Sequence, residues 1–113
     1  MIRIEEINTI LGARIKEQRK LKGYTREAFA EKLSVSTRFL ADVENGKVGV
    51  SISTLKNISV ILDIPTDYLI GIKEMDNKNL FRQSAINKIE KIDEKHLQQV
   101  NTILDCILNI ANS

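Results

Sequence analysis

Residues 34–47, SVSTRFLADVENGK, read as a short helix that ends at Asn45 and Gly46. Phe39, Leu40 and Val43 recur at helical spacing and supply an apolar side. The other middle positions are too small and too mixed in character for ordinary core packing: Thr37, Arg38, Ala41 and Asp42. A helix with such a face fits the major groove of duplex DNA, where side chains near its N-terminus reach base edges.

The segment before this helix supplies the element that would position it. TREAFAEKL predicts a second helix, and the two helices are joined by the short turn SVS. Thr25 and Ser36 are suited to cap the two helix starts. Ala30 is small enough for the point where the helices cross, and Val35 would fill the space beneath the turn. The pair therefore predicts a helix-turn-helix unit.

The remaining elements are also helical. INTILGARIKEQRKLKG predicts a first helix capped by Asn8 or Thr9, and a fourth helix begins at Ser51 or Ser53. Pro65 opens a short fifth helix. We expect an all-α protein with a five-helix domain over 1–72, a polar hinge over 73–79 and a two-helix extension over 80–113.

Composition is consistent with this organisation. The chain of 113 residues suffices for one domain with an appendage, and its single Pro and five Gly favour helix. One Cys forms no intramolecular disulfide, which favours a cytoplasmic setting. No apolar run approaches the length of about 20 residues that spans a membrane. Residues 8–72 carry ten basic and seven acidic side chains, whereas residues 73–113 carry six of each. The mild excess in the first part weakly favours an anionic partner.

The sequence offers no set of residues for catalysis or metal binding. His96 and Cys106 are the only residues of their types, and two such ligands make no metal site alone. No nucleophile–base set, glycine-rich phosphate loop or pair of acids in a pocket is recognisable. We therefore expect neither an enzyme nor a cofactor, and no domain is large enough to enclose a small-molecule ligand.

The motifs of residues 8–72 together resemble the phage-repressor type of helix-turn-helix protein, the Cro/C1 or XRE-like family. The resemblance rests on ARIKEQRKLKGYT, AFAEKLSVS, VENGK and STLKNISVILDIPTDYLIG, in that order with suitable gaps. It covers about 65 of 113 residues. It implies a lambda-repressor-like fold for the five-helix domain and a transcriptional regulator that binds double-stranded DNA.

The resemblance also assigns roles to positions. It implies a structural ion pair between Arg19 and Glu44. The base-reading positions fall on Thr37, Arg38, Ala41 and Asp42, and Ala41 would touch a thymine methyl group. The phosphate-binding positions fall on Arg26, Ser36, Asn45 and Lys47.

Three departures from the family pattern affect these assignments. Arg26 stands where the family often has Gln, which strengthens the attraction to phosphate. The loop after Gly46, KVGVS, lacks the extra basic residues that are common there. Asp42 is acidic where a polar reader is common, so it either accepts from a cytosine amino group or pairs with Arg38 along the helix. For Arg14, Lys16 and Lys20, we expect a solvated face.

The last helix, DEKHLQQVNTILDCILNIA, is apolar over more than half of its circumference. It would be either the far side of a monomer core or a seam between two chains. A tail of 41 residues buries no large core by itself, so the excess of apolar residues needs cover from another chain. We expect self-association through residues 80–111, an oligomerisation segment that includes Leu97, Val100, Leu104, Ile107 and Leu108.

These observations predict a cytoplasmic, sequence-specific regulator, a homodimeric repressor on a palindromic operator. One alternative keeps DNA binding and adds a toxin partner, as in an antitoxin that represses its own operon. Another is a protein-interaction module that does not bind DNA.

Overall fold

The computed structural model describes residues 3–112, which contain seven helices and no strand. The prediction of an all-α fold, with five helices followed by two, is confirmed. Within residues 3–112, no helix is long and apolar enough to cross a membrane. The helices are α1 (Ile4–Leu21), α2 (Arg26–Leu33), α3 (Thr37–Glu44), α4 (Ile52–Leu62), α5 (Thr66–Leu69), α6 (Asn77–Glu90) and α7 (Glu94–Ala111).

Three helices begin at a hydroxyl side chain that caps the first turn. In each case the hydroxyl oxygen accepts the backbone N–H three residues further on, at 3.0–3.1 Å. The capping residues are Thr25 for α2, Ser36 for α3 and Ser51 for α4. Such a cap contributes about 1 kcal/mol. The starts of the two helices of the helix-turn-helix unit are therefore determined locally, as predicted.

The start of α1 differs from the prediction. The helix begins at Ile4, and the side chain of Arg3 at the cap position makes no capping hydrogen bond. Thr9, predicted as a cap, lies inside the helix, and its hydroxyl group donates to the carbonyl oxygen of Glu5 at 2.9 Å. A hydroxyl side chain can bond back within a helix as well as cap one, so its type alone does not locate the first turn.

Left-handed residues end α2 and α3. Ser34 has φ 57° and Gly46 has φ 75°. After α2, the N–H of Val35 donates to the carbonyl oxygen of Ala30, and the same pattern of bonds closes α3. These bonds use carbonyl groups that the helix leaves unpaired and reverse the chain direction. As a result, α3 follows α2 after only three residues.

The first compact unit of the chain extends to Asp76 and has a single apolar core. Helices α1 to α5 and their connections contribute to it. The buried apolar residues are Leu11, Ile15, Phe29, Ala30, Leu33, Leu40, Val43, Ile58, Leu62, Ile64, Tyr68 and Leu69.

Within this unit, α1 lies so close to the end of α3 that Gly12 has no room for a side chain. A Cβ atom at Gly12 would lie 2.1 Å from the carbonyl oxygen of Val43 and 2.9 Å from that of Glu44. Both neighbours are backbone atoms, so neither yields without a shift of α3. Gly12 therefore sets the distance between α1 and the end of α3.

The second compact unit begins at Asn77 and contains α6 and α7. In α6, Leu80 and Ser84 are buried, whereas α7 has no buried residue. The first turn of α6 includes residues 77–79, which were predicted to belong to the hinge. Asn and Lys indicate exposure to solvent but do not by themselves interrupt a helix.

Gly12→Ala tests the close approach of α1 and α3. In an exposed helix interior, this change stabilises by about 1 kcal/mol because Ala is the better helix former. Here we expect the opposite sign, a loss of about 1–3 kcal/mol in the free energy of unfolding, because the added methyl group collides with backbone. Urea denaturation measures the difference, and a gain in stability would show that the helices lie further apart.

Candidate nucleic-acid interface

The outward face of α3 carries the predicted base-reading side chains. Thr37 and Arg38 are exposed, whereas Ala41 and Asp42 are half-buried. Within residues 3–112, neither Arg38 nor Asp42 has an ion-pair partner. The alternative prediction, an ion pair between Arg38 and Asp42 along the helix, is therefore wrong. In the same part of the chain, the polar side-chain atoms of Thr37, Arg38 and Asp42 make no hydrogen bond that would compete with DNA.

The inward face of α3 holds the helix against the domain. Leu40 and Val43 are fully buried, as is Ala30 of α2. Because α3 has only eight residues, it has little helical stability of its own. Its orientation depends on these inward contacts.

A buried cluster of charged side chains adds to these contacts at the last residue of α3. The carboxylate of Glu44, whose side chain is 0% exposed, accepts from Nε of Arg19 at 2.7 Å and from its terminal nitrogen Nη2 at 3.1 Å. The Arg19 side chain is 6% exposed, and its other terminal nitrogen, Nη1, donates to the carbonyl oxygen of Tyr24 at 2.9 Å. The predicted ion pair is present, and it joins α1 to the last residue of α3.

Arg26 of α2 joins the same cluster. Its Nε lies 3.2 Å from Oε1 of Glu44, and its side chain is 32% exposed. Arg26 was predicted only as a phosphate contact, so its bond to Glu44 was missed. One signal was available: an Arg in the first turn of a helix lies at the positive end of the helix dipole, which indicates a nearby carboxylate or a bound anion.

The other predicted phosphate-binding residues lie at the two ends of α3. Ser36 precedes the helix, Asn45 ends it and Lys47 follows, and all three are exposed. The Ser36 oxygen accepts the capping bond from Phe39, which leaves its hydroxyl hydrogen able to donate to a phosphate oxygen. Donors and a cation thus flank the base-reading face along the axis of α3.

In this arrangement, α3 presents a polar outward face and is joined to α2 by a short turn. Comparisons with known proteins find the same helix-turn-helix arrangement. The model of the helix-turn-helix family matches residues 15–69. The HTH-type transcriptional regulator ImmR of Bacillus subtilis (strain 168) is 33% identical over 94 residues, which are 83% of this chain and 72% of ImmR. The chain belongs to the helix-turn-helix family of transcriptional regulators.

Two further proteins illustrate the helix-turn-helix similarity. The immunity repressor protein of Bacillus phage phi105 is 29% identical over 96 residues, covering 84% of this chain and 65% of the repressor. The solved SinR protein/SinI protein complex matches with a TM-score of 0.53 and 26% identity, covering 91% of this chain and 99% of that chain. The resemblance to phage-repressor-type proteins is confirmed, and relatives of this kind support a DNA-binding regulator.

Arg14 of the helix-turn-helix domain does not lie on a solvated face, contrary to the prediction. Its side chain is 16% exposed and lies over the ring of Tyr68, with the guanidinium carbon 4.3 Å from the ring centroid. It donates to the carbonyl oxygens of Tyr68 and Lys73 and to both carboxylate oxygens of Glu74, at 2.8 and 2.9 Å. Arg14 therefore attaches the segment after α5 to α1. The partners are 54–60 residues away in sequence, so local spacing gave no signal.

The predicted self-association residues form one stripe along α7. Residues 97, 100, 104, 107 and 111 are apolar and follow one another at alternating intervals of three and four. This spacing is typical of the seam between paired helices. Leu97 and Val100 are half-buried, while Leu104, Ile107 and Leu108 are exposed.

Residues 3–112 contain no group of three or more His, Cys, Asp or Glu side chains that could hold a metal ion. Nδ1 of His96 lies 3.1 Å from the side-chain oxygen of Gln99, and Cys106 is exposed. Neither residue lies in the helix-turn-helix unit.

Glu44→Ala tests the charged cluster. The change leaves two guanidinium groups without their shared carboxylate, one of them almost fully buried, and removing one partner of a buried pair costs about 3–5 kcal/mol. We expect a large fall in the melting temperature. Arg26→Ala is the matched control, because it keeps the Arg19–Glu44 pair and should cost much less. Equal effects of the two changes would contradict a dominant role for the Arg19 bond.

Proposed function

We propose that the chain is a cytoplasmic repressor that binds a palindromic operator as a homodimer. The observation that carries this proposal is the outward face of α3, whose polar side chains have no partner among residues 3–112, although Leu40, Val43 and Glu44 of the same helix are buried. Arg38 presents a guanidinium group suited to guanine, and the face as a whole suits the major groove. Repression by occupation of a promoter needs no further surface, and the similarity to an immunity repressor supports it.

The charge distribution supports contact with DNA through the first unit. Residues 8–72 carry the excess of positive charge, and in the sequence Arg26 precedes and Lys47 follows the proposed base-reading positions. In this proposal, Thr37, Arg38, Ala41 and Asp42 read bases. The phosphate contacts are made by Arg26, Ser36, Asn45 and Lys47, and they set the register of α3 without reading sequence.

A second copy of this chain is the partner that best fits the stripe on α7. One recognition helix reads too few bases to define a single genomic site, whereas two copies about 34 Å apart read successive major grooves on one side of the duplex. Residues 73–113 have zero net charge, so two tails would meet with little electrostatic repulsion. The seam spacing suits pairing of identical helices.

The experiment that tests the proposal is selection of bound sequences from random duplex DNA. We expect an inverted repeat whose half-sites are about 10–10.5 base pairs apart, or a multiple of that distance, because the half-sites follow the helical turn. A single asymmetric half-site would contradict the homodimer but retain the DNA-binding regulator. Failure to enrich any sequence would contradict DNA recognition and favour a protein-interaction module.

Arg38→Ala and Lys47→Ala separate base reading from phosphate binding. We expect Arg38→Ala to weaken binding to the selected site by about 1–3 kcal/mol and to relax preference at one base pair in each half-site. Lys47→Ala should weaken binding to all sequences alike and lower the salt slope by about one unit. Fluorescence anisotropy over a salt series measures both effects. An unchanged base preference in Arg38→Ala would remove Arg38 from the reading set.

Leu104→Asp tests the stripe on α7. A charge inside an apolar seam is costly, so we expect a dimeric chain to become monomeric. Asn109→Asp is the matched control, because it adds the same charge about 140° around the helix from Leu104. A chain ending at Asp76, which keeps the Arg14–Glu74 bond, should be a monomer that binds DNA weakly. Sedimentation measures the oligomeric state of the parent chain and of each variant. A monomeric parent chain, or one that associates only with a different protein, would contradict the homodimer.

A further inference from the structure

Glu44 is shared by two arginines although one would neutralise it. Arg19 already donates two bonds to the carboxylate, at 2.7 and 3.1 Å. Arg26 adds a third at 3.2 Å, so the cluster holds two positive charges and one negative charge. Neutralisation of Glu44 therefore does not require Arg26. The surplus positive charge also lies in the first turn of α2, where the helix dipole disfavours it.

The orientation of Arg26 indicates where that charge is used. Only Nε is engaged by Glu44, and among residues 3–112 its two terminal nitrogens have no partner. The side chain is 32% exposed. A guanidinium group is planar and rigid, so fixing Nε on one side leaves a pair of N–H donors on the outer side. That pair matches the spacing of two phosphate oxygens.

We infer that Glu44 is a positioning residue for DNA binding: its buried carboxylate holds Arg26 with the terminal N–H groups directed outward to a phosphate of the operator backbone. This inference rests on the proposed function. Because the same carboxylate is fixed by Arg19 of α1 and belongs to α3, it sets the phosphate donor of α2 in register with the base-reading helix. Without that bond, Arg26 must lose its side-chain freedom on binding, which weakens affinity by about three- to tenfold.

A double-mutant cycle with Glu44→Gln and Arg26→Ala tests this inference by the sign of the effect. Gln has nearly the same shape but no charge, and removing a carboxylate near a polyanion would by charge alone strengthen binding. If Glu44 positions Arg26, we expect the reverse: the Glu44→Gln variant should bind the selected duplex three- to tenfold more weakly than the parent. In the Arg26→Ala background, the same change should alter affinity by less than twofold. Circular dichroism at the temperature of the measurement identifies the variants that are folded.

Arg26→Lys tests the inference without disturbing the Arg19–Glu44 pair. Lys keeps the positive charge, but its single ammonium group cannot bond to Glu44 through one nitrogen and to a phosphate through two others. We expect three- to tenfold weaker binding with a salt slope close to that of the parent, since the charge still reaches the phosphate. Arg14→Lys is the matched control, because it also loosens an Arg–carboxylate bond but lies outside the proposed interface. It should leave the affinity unchanged.

The outcomes separate this inference from the proposed function. If the parent chain binds DNA and the Arg26→Lys variant binds with the same affinity, the positioning role is overturned but the proposed function is not. An effect of Glu44→Gln that persists in the Arg26→Ala background would likewise show that Glu44 acts through the placement of α3 and not through Arg26. Absence of DNA binding by the parent chain would overturn both proposals.

Discussion

A carboxylate with no exposed surface determines how the DNA-binding half of this chain is assembled. Glu44 is the last residue of α3, and its bonds to Arg19 and Arg26 link that helix to α1 and α2. Burying charges costs several kcal/mol for each ion, which the mutual attraction offsets only when the geometry is good. The cluster is therefore better understood as a device that selects one arrangement of three helices than as a source of net stability. Apolar burial around it supplies the stability.

Gly12 supplies the steric counterpart of this electrostatic constraint. It brings α1 against the backbone at the end of α3, next to Glu44 itself. A bond between Arg19 and Glu44 requires that the two helices be close at this point. The bond between Arg19 and Glu44 draws the last turn of α3 towards α1, and the backbone contact at Gly12 limits how closely that turn can approach. Together they fix a short helix that would not be stable alone.

The elements could be predicted from the sequence because their signals are local. Apolar spacing, the caps at Thr25 and Ser36 and the stop at Gly46 act within a few residues, so the helices of the helix-turn-helix unit were located closely. The pair of Arg19 and Glu44 was found only through resemblance to a family, because nothing local joins residues 25 positions apart. The bond of Arg26 to Glu44 and the attachment of Glu74 to Arg14 were missed. These contacts arise from the tertiary arrangement, and residue type alone does not select one partner among several.

The two faces of α3 have different freedom to change. Residues on the inward face are constrained by neighbours on two other helices, so a substitution there changes the fold before it changes DNA binding. Arg38 and Asp42 on the outward face have no ion-pair partner within residues 3–112, so substitutions there alter the outward surface of α3 with little effect on stability. Arg26 lies between these cases, because its Nε bonds to the buried carboxylate of Glu44 while its side chain is 32% exposed. Substitutions are therefore least constrained at the N-terminal outward positions of α3 and more constrained at Arg26, where a change also removes a bond to the buried cluster.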